Sequence, residues 1–267
     1  MTPSGIITLT TDFGTADSYV GAVKGVILSI NPRCTVVDIT HDIAPQDIMQ
    51  ATLALSAAYR YFPPGTIHVA VVDPGVGSSR RPLLVETERC FFIGPDNGIF
   101  SSVFKEGGLR RAFEISNAAC CLPCPGTTFH GRDIFAPAAA HLSAGVSPEA
   151  FGEPASGLVS LALPEPVTSG SGCITGEIIH IDRFGNLITN VSRPLVEKTA
   201  GGGPLRAEIG SRTITEILPS YAMADTGQLF CLFGSGGYLE IAVRNGSARN
   251  MTEAVRGDRI TIKKADA

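Results

Sequence analysis

The segment TIHVAVVDPGVGSSRRP at 66–82 places charged residues and a glycine-rich turn directly after an apolar run. The run at 67–72 predicts a buried strand, and Asp73 follows it at the position where the carboxyl ends of parallel strands bind ligands. A Pro-Gly pair follows Asp73, so this carboxylate is a poor candidate for a helix cap. The segment therefore predicts a ligand site that contains one carboxylate and guanidinium groups from Arg80 and Arg81.

A phosphate-binding loop is an alternative interpretation of the same residues. The stretch GVGSSRR resembles a nest of backbone N–H groups, which binds anions. However, it lacks the strand–GxxxxGK[ST]–helix arrangement of nucleotide-binding loops, and the residues after it are typical of a strand. We therefore do not favour a phosphate site.

Two more aspartates, Asp12 and Asp42, each follow an apolar, β-branched run. Because the carboxyl ends of parallel strands lie at one edge of a sheet, we expect Asp12, Asp42 and Asp73 to converge on one rim. An Asp after a strand can also simply cap the next helix, which is the simpler interpretation for Asp17 and Asp47.

The motif FHGRD at 129–133 places a histidine in a glycine turn before an alanine-rich helix. A single histidine is often structural, and this local context leaves a structural and a functional role for His130 equally open. We expect Asp133 to cap the helix and Arg132 to be a structural ion-pair partner.

The seven cysteines are odd in number and scattered, which predicts reduced thiols. In CCLPC at 120–124, Cys121 and Cys124 have CxxC spacing and His130 follows. A structural zinc site needs a second ligand pair at a fixed offset, and none is found. The prolines around Cys124 predict a loop rather than the helix that a redox CxxC would begin. We expect neither a metal nor a redox site here.

The composition narrows the class of protein. The chain has 267 residues, 44% apolar and 17% charged, with a net charge of −4, which is typical of a folded globular protein. No Lys/Arg run exceeds two residues, so nucleic-acid and membrane-surface binding are not expected. No apolar stretch approaches the ~18 residues of a transmembrane helix. The N-terminal residues lack the features of a secretion signal, and we expect a cytoplasmic protein.

The element pattern predicts two domains. Residues 1–163 alternate strand-like and helix-like segments, and their β-α-β-α-β order predicts a mostly parallel sheet flanked by helices. The Pro-, Ser- and Gly-rich stretch 164–172 is typical of a linker. Residues 173–267 show short strands separated by turns, which predicts a smaller all-β barrel or sandwich.

Several motifs in chain order resemble those of the S-adenosyl-L-methionine (SAM) hydroxide adenosyltransferase family, which shares a superfamily with SAM-dependent fluorinases and chlorinases: TTDFGTADSYVGAVKG, VVDITHDI, VVDPGVGSSRR, GPDNG, FHGRDIFAP, DRFGNLITN and SGGYLEIA. The resemblance covers essentially the whole chain. It implies an α/β N-terminal domain, a β-barrel-like C-terminal domain, and a homotrimer that binds SAM between domains of neighbouring subunits. The implied reaction is attack of water-derived hydroxide at ribose C5′, which releases adenosine and L-methionine without a cofactor or metal.

In this family an Asp–Arg–His set marks the hydroxide-using members, and the matching residues are Asp73, Arg80 and His130. Halide-using members carry other side chains there and a long insertion before the GPDNG-like segment, which is short here. The resemblance therefore implies water as the nucleophile. We expect Arg80 and His130 to polarise the water and Asp73 to orient one of them, while the proton acceptor stays open. Arg81 is expected to be structural.

The resemblance also assigns residues to SAM binding. In the first domain these are Asp12 for the ribose hydroxyls, Phe129 near the ribose and sulfonium, and Gly131 in place of a halogenase serine. In the second domain they are Asp182 for the methionine amino group, Phe184 and Tyr221 for the adenine faces, Asn186 for the adenine edge, and Ser235 for the methionine carboxylate.

The chain departs from the halogenase pattern at two places. Ser235 is followed by Gly236 where a halogenase has Arg, so one carboxylate contact must come from elsewhere. The alignment is also ambiguous at an adenine-binding position, where Arg244 and Asn245 are both candidates.

Three alternative functions stay open. A halogenase-like reaction with SAM is the first. The aspartates of DFGTAD, with Asp42 and Asp73, also resemble the cluster of calcium-dependent nucleoside hydrolases, although Thr10 stands where another carboxylate would be needed. A non-catalytic SAM- or adenosine-binding protein is the third, and the presence of Arg80 and His130 argues for chemistry instead.

Overall fold

A computed structural model describes residues 1–123, 126–169, 172–200 and 204–264. The chain divides into two compact units, Met1–Leu163 (unit 1) and Pro164–Ala267 (unit 2). Cys124 of the CxxC spacing and residues 170–171 of the predicted linker lie outside the described residues. No helix in the described part of the chain is long and apolar enough to cross a membrane.

The described residues of unit 1 form six strands and four α-helices. The strands are β1 (Ile6–Thr11), β2 (Thr35–Thr40), β3 (Ile67–Val71), β4 (Pro82–Thr87), β5 (Phe91–Pro95) and β6 (Leu109–Glu114). The helices are α1 (Tyr19–Ile30), α2 (Ile48–Tyr59), α3 (Ser101–Gly107) and α4 (Ala136–Ser143), with a π-helical turn (Gly131–Phe135) before α4 and 3-10 turns at Ala118–Cys120 and Pro148–Phe151.

The sheet of unit 1 is mixed, so the prediction of a mostly parallel sheet was wrong. Its order is β2-β1-β3-β5-β4-β6. β1 pairs in parallel with β2 and β3, as the β-α-β-α-β pattern predicted, and β5 adds in parallel to β3. In contrast, β4 is antiparallel to both β5 and β6. The reason is the short connection between β4 and β5, because a tight turn can join only antiparallel strands.

Alternating side chains of β3 bury two apolar clusters on opposite faces of this sheet. Ile67, Val69 and Val71 pack with α1 and α4 on one face. Ala70, with Val72 just after the strand, packs with α2 and α3 on the other. Burial on both faces fixes the direction of β3 and therefore the position of the residues after it.

Of Asp17 and Asp47, both predicted to cap a helix N-terminus, only Asp47 does so. The Asp47 carboxylate accepts a hydrogen bond from the Gln50 N–H at 2.9 Å, which confirms Asp47 as the cap of α2. The expected capping role of Asp17 was wrong, because α1 begins after Ser18, which makes no side-chain cap bond.

Unit 2 is built mainly from strands: β7 (Val167–Thr168), β8 (Ile174–Ile181), β9 (Leu187–Ser192), β10 (Leu205–Ile209), β11 (Arg212–Ile214), β12 (Leu229–Phe233), β13 (Tyr238–Val243) and β14 (Arg259–Lys264). Two short helices, α5 (Arg193–Ala200) and α6 (Ala248–Thr252), and a 3-10 turn (Tyr221–Met223) were missed by the all-β prediction. β7 lies inside the predicted linker and pairs with β8.

The main sheet of unit 2 has the order β11-β10-β14-β8-β9-β13-β12 and its pairs are antiparallel. After β11 the chain hydrogen-bonds to β12, because Cys231 accepts from Leu218 N–H and donates to the Glu216 carbonyl. These bonds nearly close the sheet into a barrel around a buried apolar cluster.

Candidate active site

The loop after β3 is folded back by glycine and packs against the segment that precedes His130. Gly77 has a φ of +78°, and a Cβ on it would lie 2.4 Å from the Thr127 carbonyl oxygen. No other residue type fits this position without moving the loop. The contact explains how Asp73 and His130, far apart in sequence, come close together.

Arg80 connects Asp73 and His130. Its Nε lies 3.1 and 3.0 Å from the two Asp73 carboxylate oxygens, and its Nη2 lies 2.5 Å from Oδ2. The same Nη2 lies 2.5 Å from His130 Nδ1. The side chains of Arg80 and Asp73 are only 8% and 5% exposed. The structure therefore brings the three residues of the Asp–Arg–His set into one hydrogen-bonded group.

The contact with Arg80 fixes the tautomer of His130. A guanidinium has no acceptor, so Arg80 donates and His130 Nδ1 accepts. Neutral His130 must then carry its proton on Nε2. Burial lowers the pKa of His130, the charge of Arg80 lowers it further, and Asp73 and Asp133 oppose the shift. The net lowering favours the neutral imidazole that the Arg80 contact requires.

Arg80 also has an unused donor. Its Nη1 is buried and makes no hydrogen bond within the described residues. The guanidinium lies over the Phe135 ring, 5.4 Å from the ring centroid. A buried N–H group without a partner costs free energy, so Nη1 is suited to bind a polar ligand atom. Chemically, the set offers donors on Arg80 and His130 beside one carboxylate.

Asp12 and Asp42 follow strands that end at the same edge of the sheet as β3, as expected from the parallel pairing. The Asp12 carboxylate accepts a 2.8 Å hydrogen bond from the backbone N–H of Gln46, a non-glycine residue at a φ of 66°. Asp42 is exposed and its side chain makes no hydrogen bond in the described part of the chain. Asp12 is therefore held in place and Asp42 is not.

Three aromatic rings form a cluster beside these residues. Phe129 lies 5.7 Å from Phe13 and 5.2 Å from Tyr19, centroid to centroid. A Cβ on Gly131 would lie 3.1 Å from the Phe13 ring and 3.3 Å from the Phe129 ring. Gly131 therefore contributes space rather than a side chain. The predicted ligand residues Phe129 and Gly131 thus belong to one packed group, in which Phe13 and Tyr19 were not predicted.

Asp133 is not the helix cap that we expected, because the helical turn begins earlier, at Gly131. Its buried carboxylate accepts from Gly126 N–H at 2.9 Å and pairs with Arg132 at 2.6 Å. Burial would raise the pKa of Asp133, but the bonds from Arg132 and Gly126 hold it below its usual value. Asp133 anchors the loop that carries His130.

Arg81 lies outside this group. It pairs with Asp96 at 2.5 Å and donates to the carbonyls of Ser156 and Gly157. The structural role expected for Arg81 is confirmed by these contacts.

In unit 2, a tight turn joins several of the predicted substrate residues. Asp182 Oδ1 accepts from the backbone N–H groups of Phe184 and Asn186, each at 2.9 Å. Asp182 Oδ2 accepts from Asn186 Nδ2 at 2.8 Å. The turn leaves the Phe184 side chain 77% exposed, and Tyr221 OH lies 3.5 Å from Asn186 Nδ2.

Glu240 extends this group and was missed from the sequence. Its Oε2 accepts from the Tyr221 hydroxyl at 3.2 Å. Burial raises the pKa of Glu240, the Tyr221 hydrogen bond opposes the shift, and the nearby Asp182 adds to it. Burial and Glu240 also raise the pKa of Tyr221 to about 12. The only signal in the sequence was a charged residue within the apolar strand YLEIAV.

The side chains of the remaining predicted residues make no hydrogen bond to this group among the described residues. Ser235 is exposed in the turn between β12 and β13. Arg244 donates to the carbonyls of Ala222 and Ala224, so it supports the turn that carries Tyr221. Asn245 is exposed at a φ of 55°.

No group of three or more His, Cys, Asp or Glu side chains that could hold a metal ion occurs among the described residues. Of the CCLPC segment, Cys120 and Cys121 are described as free thiols, and burial raises the pKa of both.

Models of the N-terminal and C-terminal domains of the SAM hydroxide adenosyltransferases match residues 7–152 and 176–261. The chain belongs to the SAM hydroxide adenosyltransferase family. Family membership confirms the resemblance inferred from the sequence motifs, and the matched residues include Asp73, Arg80 and His130.

Relatives within this family span nearly the whole chain. A protein from Thermus thermophilus named (R)-S-adenosyl-L-methionine hydrolase is 40% identical over 89% of this chain and 91% of its own. One of the same name from Salinispora tropica is 35% identical over 98% and 99%. The crystal structure of an uncharacterized conserved protein from Thermotoga maritima is 36% identical, with a TM-score of 0.92 over 97% of this chain and all of that one. Fluorinases match at 28–29% identity.

Proposed function

We propose that this protein hydrolyses SAM to adenosine and L-methionine by attack of water at ribose C5′. The observation that carries the proposal is the buried group in which Arg80 hydrogen-bonds to both Asp73 and His130. The hydrolase names of full-length relatives support the same substrate and reaction.

The difficult part of this reaction is activation of the nucleophile, not departure of the leaving group. The water oxygen forms a bond to C5′, the C5′–S bond breaks, and its electron pair goes to the sulfonium sulfur. Methionine then leaves as a neutral thioether, so no general acid is needed. Water has a pKa of about 15.7, so the site must polarise it, align it opposite the sulfur and accept its proton.

The Asp–Arg–His set divides these tasks. Arg80 Nη1 and the Nε2–H of His130 are donors, and they orient the water and stabilise the negative charge that develops on its oxygen. His130 Nδ1 already accepts from Arg80, and Arg80 has no lone pair. Asp73 is therefore the member that can accept the proton without breaking the contact between Arg80 and His130.

The predicted substrate residues fit this proposal as binding groups. In unit 1, Asp12 holds the ribose hydroxyls, while Phe129 contacts the ribose and sulfonium and Gly131 leaves space beside that ring. In unit 2, the assigned groups are Asp182 for the methionine amino group, Phe184 and Tyr221 for the adenine faces, Asn186 for the adenine edge, Ser235 for the methionine carboxylate, and the segment of Arg244 and Asn245 for the adenine. The balanced reaction uses only SAM and water, so we propose no resident cofactor.

The direct test is incubation of the protein with SAM, followed by chromatography. We expect adenosine and methionine in equal amounts, at a rate that neither a chelator nor added chloride changes. A 5′-chlorinated nucleoside would support the halogenase-like alternative instead. Loss of activity with a chelator would favour the metal-dependent nucleoside hydrolase. Binding of SAM or adenosine without any product would identify a sensor.

A further inference from the structure

Glu240 lies on the outer face of β13, next to candidate substrate-binding residues. Its neighbours Leu239 and Ile241 point into the barrel interior and are completely buried. Alternation along the strand turns Glu240 to the opposite face. There its Oε2 accepts a hydrogen bond from the Tyr221 hydroxyl at 3.2 Å.

Gly234 leaves the space that the Glu240 carboxylate occupies. A Cβ on Gly234 would lie only 1.6 Å from Glu240 Oε1. Gly234 also begins the turn that carries Ser235, because its N–H and carbonyl bond to Tyr238 and Gly237. The carboxylate is thus enclosed between this turn and the Tyr221 side chain, and its position is fixed by packing.

The carboxylate also sets the direction of a chain of hydrogen bonds. Because an ionised Glu240 only accepts, the Tyr221 hydroxyl donates its hydrogen bond to Glu240 and can offer Asn186 only a lone pair. Asn186 Nδ2 lies 3.5 Å from that hydroxyl and 2.8 Å from Asp182 Oδ2. Both neighbours accept, so the amide nitrogen faces them and Oδ1 faces away, with no hydrogen-bond partner in the described part of the chain.

We propose that Glu240 is a positioning residue that makes the site selective for a base edge that donates a hydrogen bond, namely the 6-amino group of adenine. This inference rests on the proposed SAM hydrolase function. Asn186 Oδ1 accepts from a 6-amino group, whereas a 6-oxo group places two acceptors against each other. Glu240 acts through Tyr221, because the hydroxyl can give its proton to only one partner.

The test compares SAM with its inosine analogue, in which a 6-oxo group replaces the 6-amino group, in wild type and Glu240→Gln. The amide introduced by this substitution can donate as well as accept, so the Tyr221 hydroxyl is no longer fixed as an acceptor for Asn186, and only Asp182 then holds the amide nitrogen. We expect the preference for SAM to fall about tenfold or more, mainly through KM. The kcat for SAM should stay close to wild type because the adenine does not react.

Tyr221→Phe provides a second variant, since it removes the hydroxyl but keeps the ring. It should reduce the preference similarly, and the double variant Glu240→Gln/Tyr221→Phe should be no worse than Tyr221→Phe alone. Glu216→Gln, an exposed change in the same unit, should leave the preference unchanged. Calorimetric titration with adenosine and inosine gives the same comparison without turnover.

Two results would overturn the inference. One is an equal loss for both substrates in Glu240→Gln, and the other is additive losses in the double variant. The wild-type protein could prefer adenosine to inosine, and lose this preference in Glu240→Gln, yet release no adenosine from SAM. That result would refute the proposed function but support this inference. Absence of any binding would refute both.

Discussion

Arg80 is the residue on which the unit 1 site depends, because its guanidinium contacts both Asp73 and His130. A lysine at this position keeps the charge but cannot bridge two partners with a planar fork. We expect Arg80→Lys to lower kcat by about 100-fold or more. Arg81→Lys is the matched control, since Arg81 pairs with Asp96 outside the set. Near-wild-type turnover by Arg80→Lys would contradict the assigned role.

Protonation of His130 should make kcat fall at low pH, which gives the pH–rate profile an acid limb. Its folded-state pKa lies below the ordinary value of 6.5, so the neutral form persists at pH 7 and is lost as the pH falls. Protonation places an N–H on Nδ1, and the contact with Arg80 is then lost. We expect wild-type kcat to fall on acidification below pH ~6.5 and His130→Ala to be slow at every pH without this limb. An unchanged acid limb in His130→Ala would show that another group titrates.

Gly131 tests the packing of the aromatic cluster. In Gly131→Ala the new methyl group would lie 3.1 Å from Phe13 and 3.3 Å from Phe129, so one ring must move. We expect a higher KM for SAM and a loss of about 1–3 kcal/mol of stability from overpacking. Gly25→Ala on α1 is the control, because its Cβ meets no atom within 4 Å. That change should stabilise the helix by about 0.5–1 kcal/mol without altering KM.

At the scale of elements, β3 carries a histidine that couples stability to pH. His68 is fully buried, its Nδ1 lies 2.7 Å from Thr8 Oγ1, and burial lowers its pKa to about 3. The unfolded chain therefore binds a proton near pH 6.5 that the native state does not. The contribution of His68 to stability should be constant above that pH and decrease below it, by up to about 1.4 kcal/mol per pH unit.

Urea unfolding at pH 7 and pH 5 measures this dependence. We expect His68→Leu to be less stable than wild type at pH 7 but to lose clearly less stability on acidification. His141→Gln on α4, where the side chain is partly exposed, should keep the wild-type dependence. Equal losses on acidification in wild type and His68→Leu would contradict the account.

The sequence predicted some elements of the fold well and others poorly. β1, β2 and β3 were predicted closely because β-branched runs and turn residues mark both ends. The parallel order of these strands also predicted that Asp12 and Asp73 share one sheet edge. The short turn between β4 and β5 is consistent with their antiparallel pairing, but the place of β4 between β5 and β6 was not predictable, because strand order beyond a hairpin depends on tertiary packing. Glu240 was missed for a similar reason, since only the fold brings Tyr221 and Gly234 next to it.

At the scale of the whole molecule, we predict a homotrimer. The expectation comes from the assembly that the family resemblance implies. Size-exclusion chromatography with light scattering should give about three times the chain mass of 27.9 kDa. A monomeric mass in a preparation that hydrolyses SAM at full rate would contradict this prediction.

The most direct test of the central claim is the fate of the water oxygen when SAM is turned over in H₂¹⁸O. If water attacks ribose C5′, mass spectrometry will find ¹⁸O in the 5′-hydroxyl of adenosine and none in methionine. Arg80→Lys should produce the same labelled adenosine at a much lower rate. Unlabelled adenosine, a halogenated nucleoside or free adenine in place of adenosine would contradict the proposed reaction.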